Sequence, residues 1–151
     1  MAEPHVAGRW HQDWDLDAWS AEVGAQLAGT HSRPWIVGLH GEAVAYVEVY
    51  RAAADLLAEY VDVDDGDLGV HVAIGDPSRV GEGLGGRVLR AVSDGLFRAD
   101  PSCRHVLGDP DAGHLAARGA FASAGFALRT EVELPHKRAA LMVRPRPEDD
   151  R

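Results

Sequence analysis

The stretch Gly75-Asp76-Pro77-Ser78-Arg79-Val80-Gly81-Glu82-Gly83-Leu84-Gly85-Gly86 lies between a strand-like apolar run and a helix-like one, and few architectures have room for it. Glycines let the backbone approach a ligand closely and point successive N–H groups at one anion. The N-terminus of the following helix adds its partial positive charge. Strand, glycine turn and helix in succession therefore predict a pyrophosphate-binding turn in an α/β layer. The plain alternative is a glycine-rich helix start without a ligand. Each such glycine weakens a helix by up to about 1 kcal/mol relative to alanine, which argues for another use. Gly81 to Gly86 does not fit the dinucleotide pattern G-x-G-x-x-G in context, and the absence of Gly-Lys-Ser/Thr excludes a Walker A loop.

Hydrophobic spacing marks out the other elements. Asp15 can cap a helix from about Leu16 to Leu27, with Trp19, Val23 and Leu27 on one stripe. Trp35 to Leu39 reads as a strand, His40-Gly41 as a turn, and Glu42 to Tyr50 as a second strand. In that second strand Val44, Tyr46, Glu48 and Tyr50 share one face, and Ala43, Ala45, Val47 and Val49 the other. Ala52 to Tyr60 is short and helix-prone; Asp67 to Gly75 is a strand. Gly83 to Phe97 is a helix with Leu84, Val88, Val92 and Leu96 spaced by four. His105 to Gly108 is a short buried strand, and Ala112 to Ala124 a helix ended by Gly125. Ala127 to Leu134 and Arg138 to Val143 form a closing hairpin around Pro135-His136-Lys137, followed by a loose tail over residues 145–151. This order predicts a mixed, mostly antiparallel α/β (α+β) sheet with a parallel pair at its centre, flanked by helices, in one domain spanning 1–151.

With 151 residues, 46% of them hydrophobic and 26% charged, the chain can bury a core. Its apolar runs fall short of the roughly 20 residues that span a bilayer. Met1-Ala2-Glu3-Pro4-His5 has neither the basic nor the apolar stretch of a signal peptide. The one cysteine, Cys103, excludes an internal disulfide and a multi-cysteine metal site, and a cytoplasmic location is expected. The net charge of −9 argues against nucleic acid and suits a cationic amine, although acidity also serves solubility. No metal is expected: Asp62 to Asp67 lacks the glycine placement and final glutamate of an EF-hand, and the eight histidines show no H-E-x-x-H spacing. No G-x-S-x-G nucleophile motif is present.

Val80-Gly81-Glu82-Gly83-Leu84-Gly85 resembles the acyl-CoA pyrophosphate loop of GNAT acyltransferases, usually Gln/Arg-x-x-Gly-x-Gly/Ala, with Val80 at the basic position and Arg79 one residue early. The element order from Asp67 to Ala124, closing on Gly125-Phe126, is similar too, and the likeness covers about Trp35 to Val143. Within that family the chain most resembles siderophore-type lysine N-acyltransferases. Trp10-His11-Gln12, Gly41-Glu42 with Tyr46 to Tyr50, Asp67 to His71, Asp109-Pro110-Asp111 and His136-Lys137-Arg138-Ala139 carry this likeness. Aminoglycoside 6′-N-acetyltransferases share the region from Arg79 to Phe97 and are the rival, and a non-catalytic CoA-binding module is a second. The resemblance implies a central splayed strand pair and acetyl-CoA or another acyl-CoA as cofactor. It implies a small amine or N-hydroxylated amine as acceptor, in a monomer or homodimer.

Amine acylation needs a neutral nucleophile, a polarised thioester carbonyl and a proton for the leaving thiolate. His71 lies on the strand before the glycine turn, on a face shared with Ala73 and Gly75, which leaves space beside the ring. Its plain alternative is a hydrogen-bonded core histidine. Asp109 ends the next parallel strand, where ligands gather in open α/β sheets; alternatively it caps the following helix with Pro110. The resemblance places the reacting centre at these two positions, with His71 expected as base. Ile74, Arg79, Val80, Gly81, Glu82, Gly83, Leu84, Gly85 and Gly86, with His114 and Arg118, are the expected cofactor contacts. Trp35, Tyr46, Glu48, Tyr50 and His136 are the expected substrate contacts; an exposed face of a half-buried strand would look the same for Tyr46, Glu48 and Tyr50. Phe121 stands where many family members carry a tyrosine acid, and His114 where an asparagine is common.

Overall fold

Asp15 caps the first helix, accepting the Ala18 N–H at 2.8 Å, in a computed structural model that describes residues 14–148. Trp10-His11-Gln12 lies outside the described residues. The helix, α1, runs Leu16–Ala28, but it buries Trp19 and Gln26 and leaves Leu27 exposed, so the inward stripe is rotated from the expected one. Gln26 is tolerated inside because a neighbouring strand supplies its hydrogen-bond partners.

β1 (Ser32–Leu39) and β2 (Glu42–Arg51) form a hairpin whose two turn residues, His40 and Gly41, both have positive φ. That geometry matches the twist of paired strands. The stretch expected as one short helix is instead two 3₁₀ turns, Ala52–Ala54 and Leu56–Glu59. Asp55 sits extended between them and accepts the Leu57 N–H, which interrupts the first turn and caps the second. β3 (Leu68–Ile74) leads through the glycine turn into α2 (Leu84–Ala99), and β4 (His105–Gly108) follows. α2 buries Leu84, Val88, Leu89, Ser93 and Phe97, with Val92 and Leu96 only half-buried.

α3 (Leu115–Ser123) starts later than expected. Asp111 accepts the Gly113 N–H, and Ala112 donates to Arg138 O, so residues 111–112 serve the sheet before the helix begins. β5 (Ala127–Leu134) and β6 (Lys137–Pro145) close the sheet around a two-residue turn, Pro135-His136. The tail is tied down further than expected. Pro145 pairs with His105, the Arg146 N–H donates to Arg104 O, and its guanidinium donates to the carbonyls of Cys103 and Asp100.

The six strands run in the order β1-β2-β3-β4-β6-β5, with β3 and β4 parallel and the other neighbours antiparallel, as the element order predicted. One core, built on Leu68, Val70, Leu89, Phe97, Val106 and Phe121, lies under α2 and α3. A second, around Leu57, Leu107 and Leu141, lies on the opposite face beneath the 3₁₀ turns. Among the described residues no helix is long and apolar enough to cross a membrane.

Asp67, buried just before β3, latches the starts of the parallel pair. It accepts His105 N at 3.0 Å and Asp64 N at 3.0 Å, and its carboxylate lies 3.1 Å from His105 Nδ1. Asp64, Asp67 and His105 could face a cation, with ligand atoms within 4.8 Å of one another, but both Asp67 oxygens already accept backbone N–H groups. Asp67→Ala leaves those part-buried donors without their acceptor. Its urea unfolding free energy is expected to drop by roughly 1–3 kcal/mol; an unchanged midpoint would show that the latch carries no stability.

Candidate active site

β3 and β4 are in register at Leu68↔Val106 and Gly69↔Leu107. Beyond that, β3 continues along β2 to Ile74 while β4 stops at Gly108, so the strands part and His71 faces Asp109 across the opening. The β2–β3 register sets Glu48 opposite His71, Tyr46 opposite Ala73 and Tyr50 opposite Gly69, so all these side chains share one face of the sheet. His71 bridges two carboxylates, with Nε2 at 3.0 Å from Asp109 Oδ1 and Nδ1 at 3.3 Å from Glu48 Oε2. The Tyr50 ring lies 4.8 Å from the imidazole, and its hydroxyl donates to Asp109 Oδ1 at 3.3 Å. Only glycine at 69 permits this, since a Cβ there would stand 2.0 Å from the Tyr50 ring. Asp109 does not cap α3, which begins six residues later with His114 at its N-cap.

The His71 side chain is 36% exposed while those of Asp109 and Glu48 are 8% and 13% exposed, so the imidazole is what a ligand would meet first. Burial works to lower the His71 pKa, but its hydrogen bonds and charge contacts with Asp109 and Glu48 outweigh this and raise it to about 9. Burial likewise pushes the Asp109 carboxyl up, yet His71 and Lys137 hold it well below its ordinary value. The Glu48 carboxyl is lowered in the same way: His71, Gln26 and Tyr46 outweigh its burial. Burial and the adjacent carboxylates raise both tyrosine hydroxyls, which stay protonated donors. The raised pKa favours an imidazolium between two carboxylates at neutral pH. In that form the ring can donate a proton.

Around this centre, Glu48 Oε1 accepts Gln26 Nε2 at 3.0 Å and the Tyr46 hydroxyl at 2.9 Å, and Gln26 also donates to Glu22 Oε1. Lys137 Nζ lies 3.0 Å from Asp109 Oδ2. Gln26 and Lys137 are not among the site residues expected from the sequence, although Lys137 lies in a segment that carries the family likeness. Gln26 falls on the inward stripe only once α1 is docked, and Lys137 leaves the hairpin turn only once the turn is seen to be two residues long. His136, expected at the substrate, is exposed in that turn, and the side chain that reaches Asp109 is Lys137. Trp35 pairs with Val47 and Ile36 with Tyr46, so Trp35 lies on the sheet face away from Glu48 and His71, 59% exposed.

The glycine turn divides into two functions. Gly81 and Gly83 have φ of 91° and 76°, and a Cβ at either would meet nothing within 4 Å, so their approach side is open. Gly83 is the N-cap of α2 and offers no side-chain acceptor, and the first turn has no acidic residue. The N–H groups of Leu84, Gly85 and Gly86 precede the first intrahelical bond, Arg87 N to Gly83 O, which suits an anion. Gly86 instead serves packing: a Cβ there would stand 2.0 Å from Ser123 Oγ on α3. Arg79 closes the 3₁₀ turn Pro77–Arg79, Val80 and Glu82 are exposed in the turn, Leu84 is buried, and Ile74 ends β3 opposite Ala45. Arg118 donates to Ala112 O at 2.9 Å and reaches Glu131, bracing α3 against the sheet. Phe121 is buried against Phe126 and beneath Gly108, where no hydroxyl is available.

The family model described as an acetyltransferase (GNAT) domain matches residues 1–134. The chain is 38% identical over 151 residues to lysine N-acyltransferase MbtK of Mycolicibacterium paratuberculosis, covering 100% of this chain and 68% of that protein. It is 32% identical over 111 residues to N-hydroxyputrescine acetyltransferase of Acinetobacter baumannii, covering 74% of this chain and 52% of that one. Among solved structures, aminoglycoside acetyltransferase AAC(6′)-Ib with coenzyme A and kanamycin superposes with a TM-score of 0.85 at 28% identity, over 95% of this chain and 84% of that chain.

The raised imidazole fixes the sign of a pH effect. Stability contributed by His71 is fully present below the ordinary histidine pKa of about 6.5 and is lost as pH rises through about 9. The carboxylate contributions, from lowered groups, are present above roughly pH 4 and lost below it. The stability advantage of wild type over His71→Gln is thus expected to be greatest near pH 5–6.5 and to shrink towards pH 9. Urea unfolding across that range measures it, and an advantage that grows above pH 7 would contradict the imidazolium assignment.

Proposed function

The chain belongs to the GNAT acetyltransferase family, and on that premise we propose that it transfers an acyl group from acyl-CoA to the nitrogen of a hydroxylated lysine or hydroxylated diamine. The observation that carries this is the His71 ring held between the Glu48 and Asp109 carboxylates, an arrangement that favours the imidazolium. An alkyl ammonium, with a pKa near 10.4 for lysine, must lose a proton before it can attack. A protonated imidazole cannot take that proton. An N-hydroxylated amine is less basic, is already neutral at physiological pH, and needs no base beforehand.

Acyl-CoA supplies the acyl group as a thioester, so the amide C–N bond forms as the C–S bond breaks, the nitrogen loses a proton and the sulfur gains one. The open side of Gly81 and Gly83, with the first turn of α2, receives the pyrophosphate. His71 delivers a proton to the leaving sulfur, preferably from Nδ1, whose contact to Glu48 is the longer at 3.3 Å. Its pKa of about 9 lies near that of an ordinary thiol, about 8.5, the match a general acid needs. Asp109 orients the ring from the other nitrogen. On this reading one acyltransferase domain, as a monomer or homodimer, serves small amines in the cytoplasm and binds no nucleic acid. A second reading, aminoglycoside 6′-N-acetylation, is favoured by the superposition on AAC(6′)-Ib.

Two experiments test the proposal. Steady-state kinetics with N6-hydroxylysine, hydroxylated diamines and kanamycin should rank kanamycin last in kcat/KM. His71→Ala should lower kcat by roughly 10²- to 10⁴-fold with coenzyme A still bound, and wild-type kcat/KM should decline above pH about 9. Kanamycin ranking first would promote the second reading, and a rate that climbs through pH 9 would return His71 to the role of base. Separately, Gly83→Val places a β-branched side chain on the open approach of the turn, at a φ that L residues disfavour. Titration calorimetry should then find no coenzyme A binding in a variant that circular dichroism shows to be folded; unchanged affinity means that the turn is not the pyrophosphate site.

A further inference from the structure

Lys137 is the sole lysine of the sequence; every other residue among the fifteen counted as lysine or arginine is an arginine. It opens β6 opposite Leu134, and its side chain is only 16% exposed. Its ammonium grips two atoms of one residue, Asp109 Oδ2 at 3.0 Å and the Asp109 carbonyl oxygen at 2.6 Å. A compact point charge can reach both, whereas a planar guanidinium spreads its donors in a fixed fork. The backbones are joined as well. Ala112 N donates to Arg138 O, Ala140 N donates to Pro110 O, and Asp111 bridges to Ala139, so the strand bearing Lys137 and the segment bearing Asp109 form one unit. With Oδ2 and the carbonyl held, Oδ1 is left to His71 and Tyr50.

We propose that Lys137 is a positioning residue of the transfer site: it locks the Asp109 carboxylate with one oxygen facing His71, and it shares that carboxylate's charge. The kinetic consequence rests on the acyltransferase reading above; the electrostatic one does not. Among the described residues, the groups bonded to His71 include Glu48 from β2 and Asp109 beyond β4, with the Tyr50 ring beside it; Tyr46, Gln26 and Glu22 act through Glu48, and Lys137 is a cation bonded to this set. Removing the ammonium leaves the full Asp109 charge to the imidazolium and shifts the loss of its proton to higher pH.

Lys137→Met keeps the apolar stem and removes the charge. In this variant the His71 imidazole, followed by NMR, should titrate at higher pH than in wild type. The alkaline limb of kcat/KM should move with it, and kcat should fall by roughly 10- to 100-fold as Asp109 loses its fixed position. Lys137→Cys should behave alike, and aminoethylation with 2-bromoethylamine, which rebuilds an ammonium at nearly lysine length, should restore both titration and rate. The one native cysteine will not compete: Cys103 is buried, and burial pushes its thiol up to about 11. Lys137→Arg should restore the titration more fully than kcat. An unmoved His71 titration in folded Lys137→Met, or no recovery on aminoethylation, overturns the proposal. Should Lys137→Met not fold, the same readings are compared between Lys137→Arg and aminoethylated Lys137→Cys, and equal kcat in those two overturns it. A titration shift in a protein that turns over no amine would leave the positioning role standing and sink the acyltransferase reading, so the two fail separately.

Discussion

The parallel strands β3 and β4 are latched at their starts by Asp67 and His105, agree in register for two residues, and then diverge. Each further feature of the site follows from that divergence. A fully paired β4 would cover the edge of β3 beside His71; because β4 ends at Gly108, Asp109 turns back across the gap to meet it. The same divergence leaves the carboxyl end of β3 to lead into the glycine turn and the N-terminus of α2, the place where open α/β sheets collect ligands. Binding turn and reacting pair are thus two results of one break in pairing.

Burying Glu48 and Asp109 on one face would be costly if they were left uncompensated. His71 and Lys137 compensate them. With the imidazole protonated these four groups carry no net charge, and every carboxylate oxygen named has a donor or cation within hydrogen-bonding range. The arrangement ties the protonation state of His71 to charges arriving from four elements: β2, the end of β4, β6 and, through Gln26, α1. An approaching cation or anion would alter a balance already set by the fold, which is how a buried polar network acquires a defined state.

Much of the layout was legible in the sequence because alternation and spacing are local properties. The β2 alternation put Tyr46, Glu48 and Tyr50 on one face, and the register confirms it. The glycine turn announced itself by composition, although only the structure separates Gly83, open to a ligand, from Gly86, forced by contact with Ser123. What escaped depends on how elements dock. The face on which Trp35 lies is set by its partner's register, which the sequence does not display. Gln26 lies outside the Trp19, Val23 and Leu27 stripe, and a buried amide is recognisable only beside the carboxylate it serves. The protonation of His71 escaped for the same reason: residue type marked it as reactive, but its two flanking acids come from positions 23 and 38 residues away.

Those separations bear on the order in which the chain acquires its parts. The β1–β2 and β5–β6 hairpins close through neighbouring residues, whereas the His71–Asp109 contact spans 38 residues and the Asp109–Lys137 contact 28. Closing such loops costs entropy before any contact repays it, so non-local pairings tend to form late. The latched parallel pair is the step at which the two halves of the sheet meet, and the site comes into being with it. A partly folded chain with both hairpins in place would show most of its strand signal and have no reacting centre. In this protein, possession of the centre amounts to a certificate that the last long-range junction has closed.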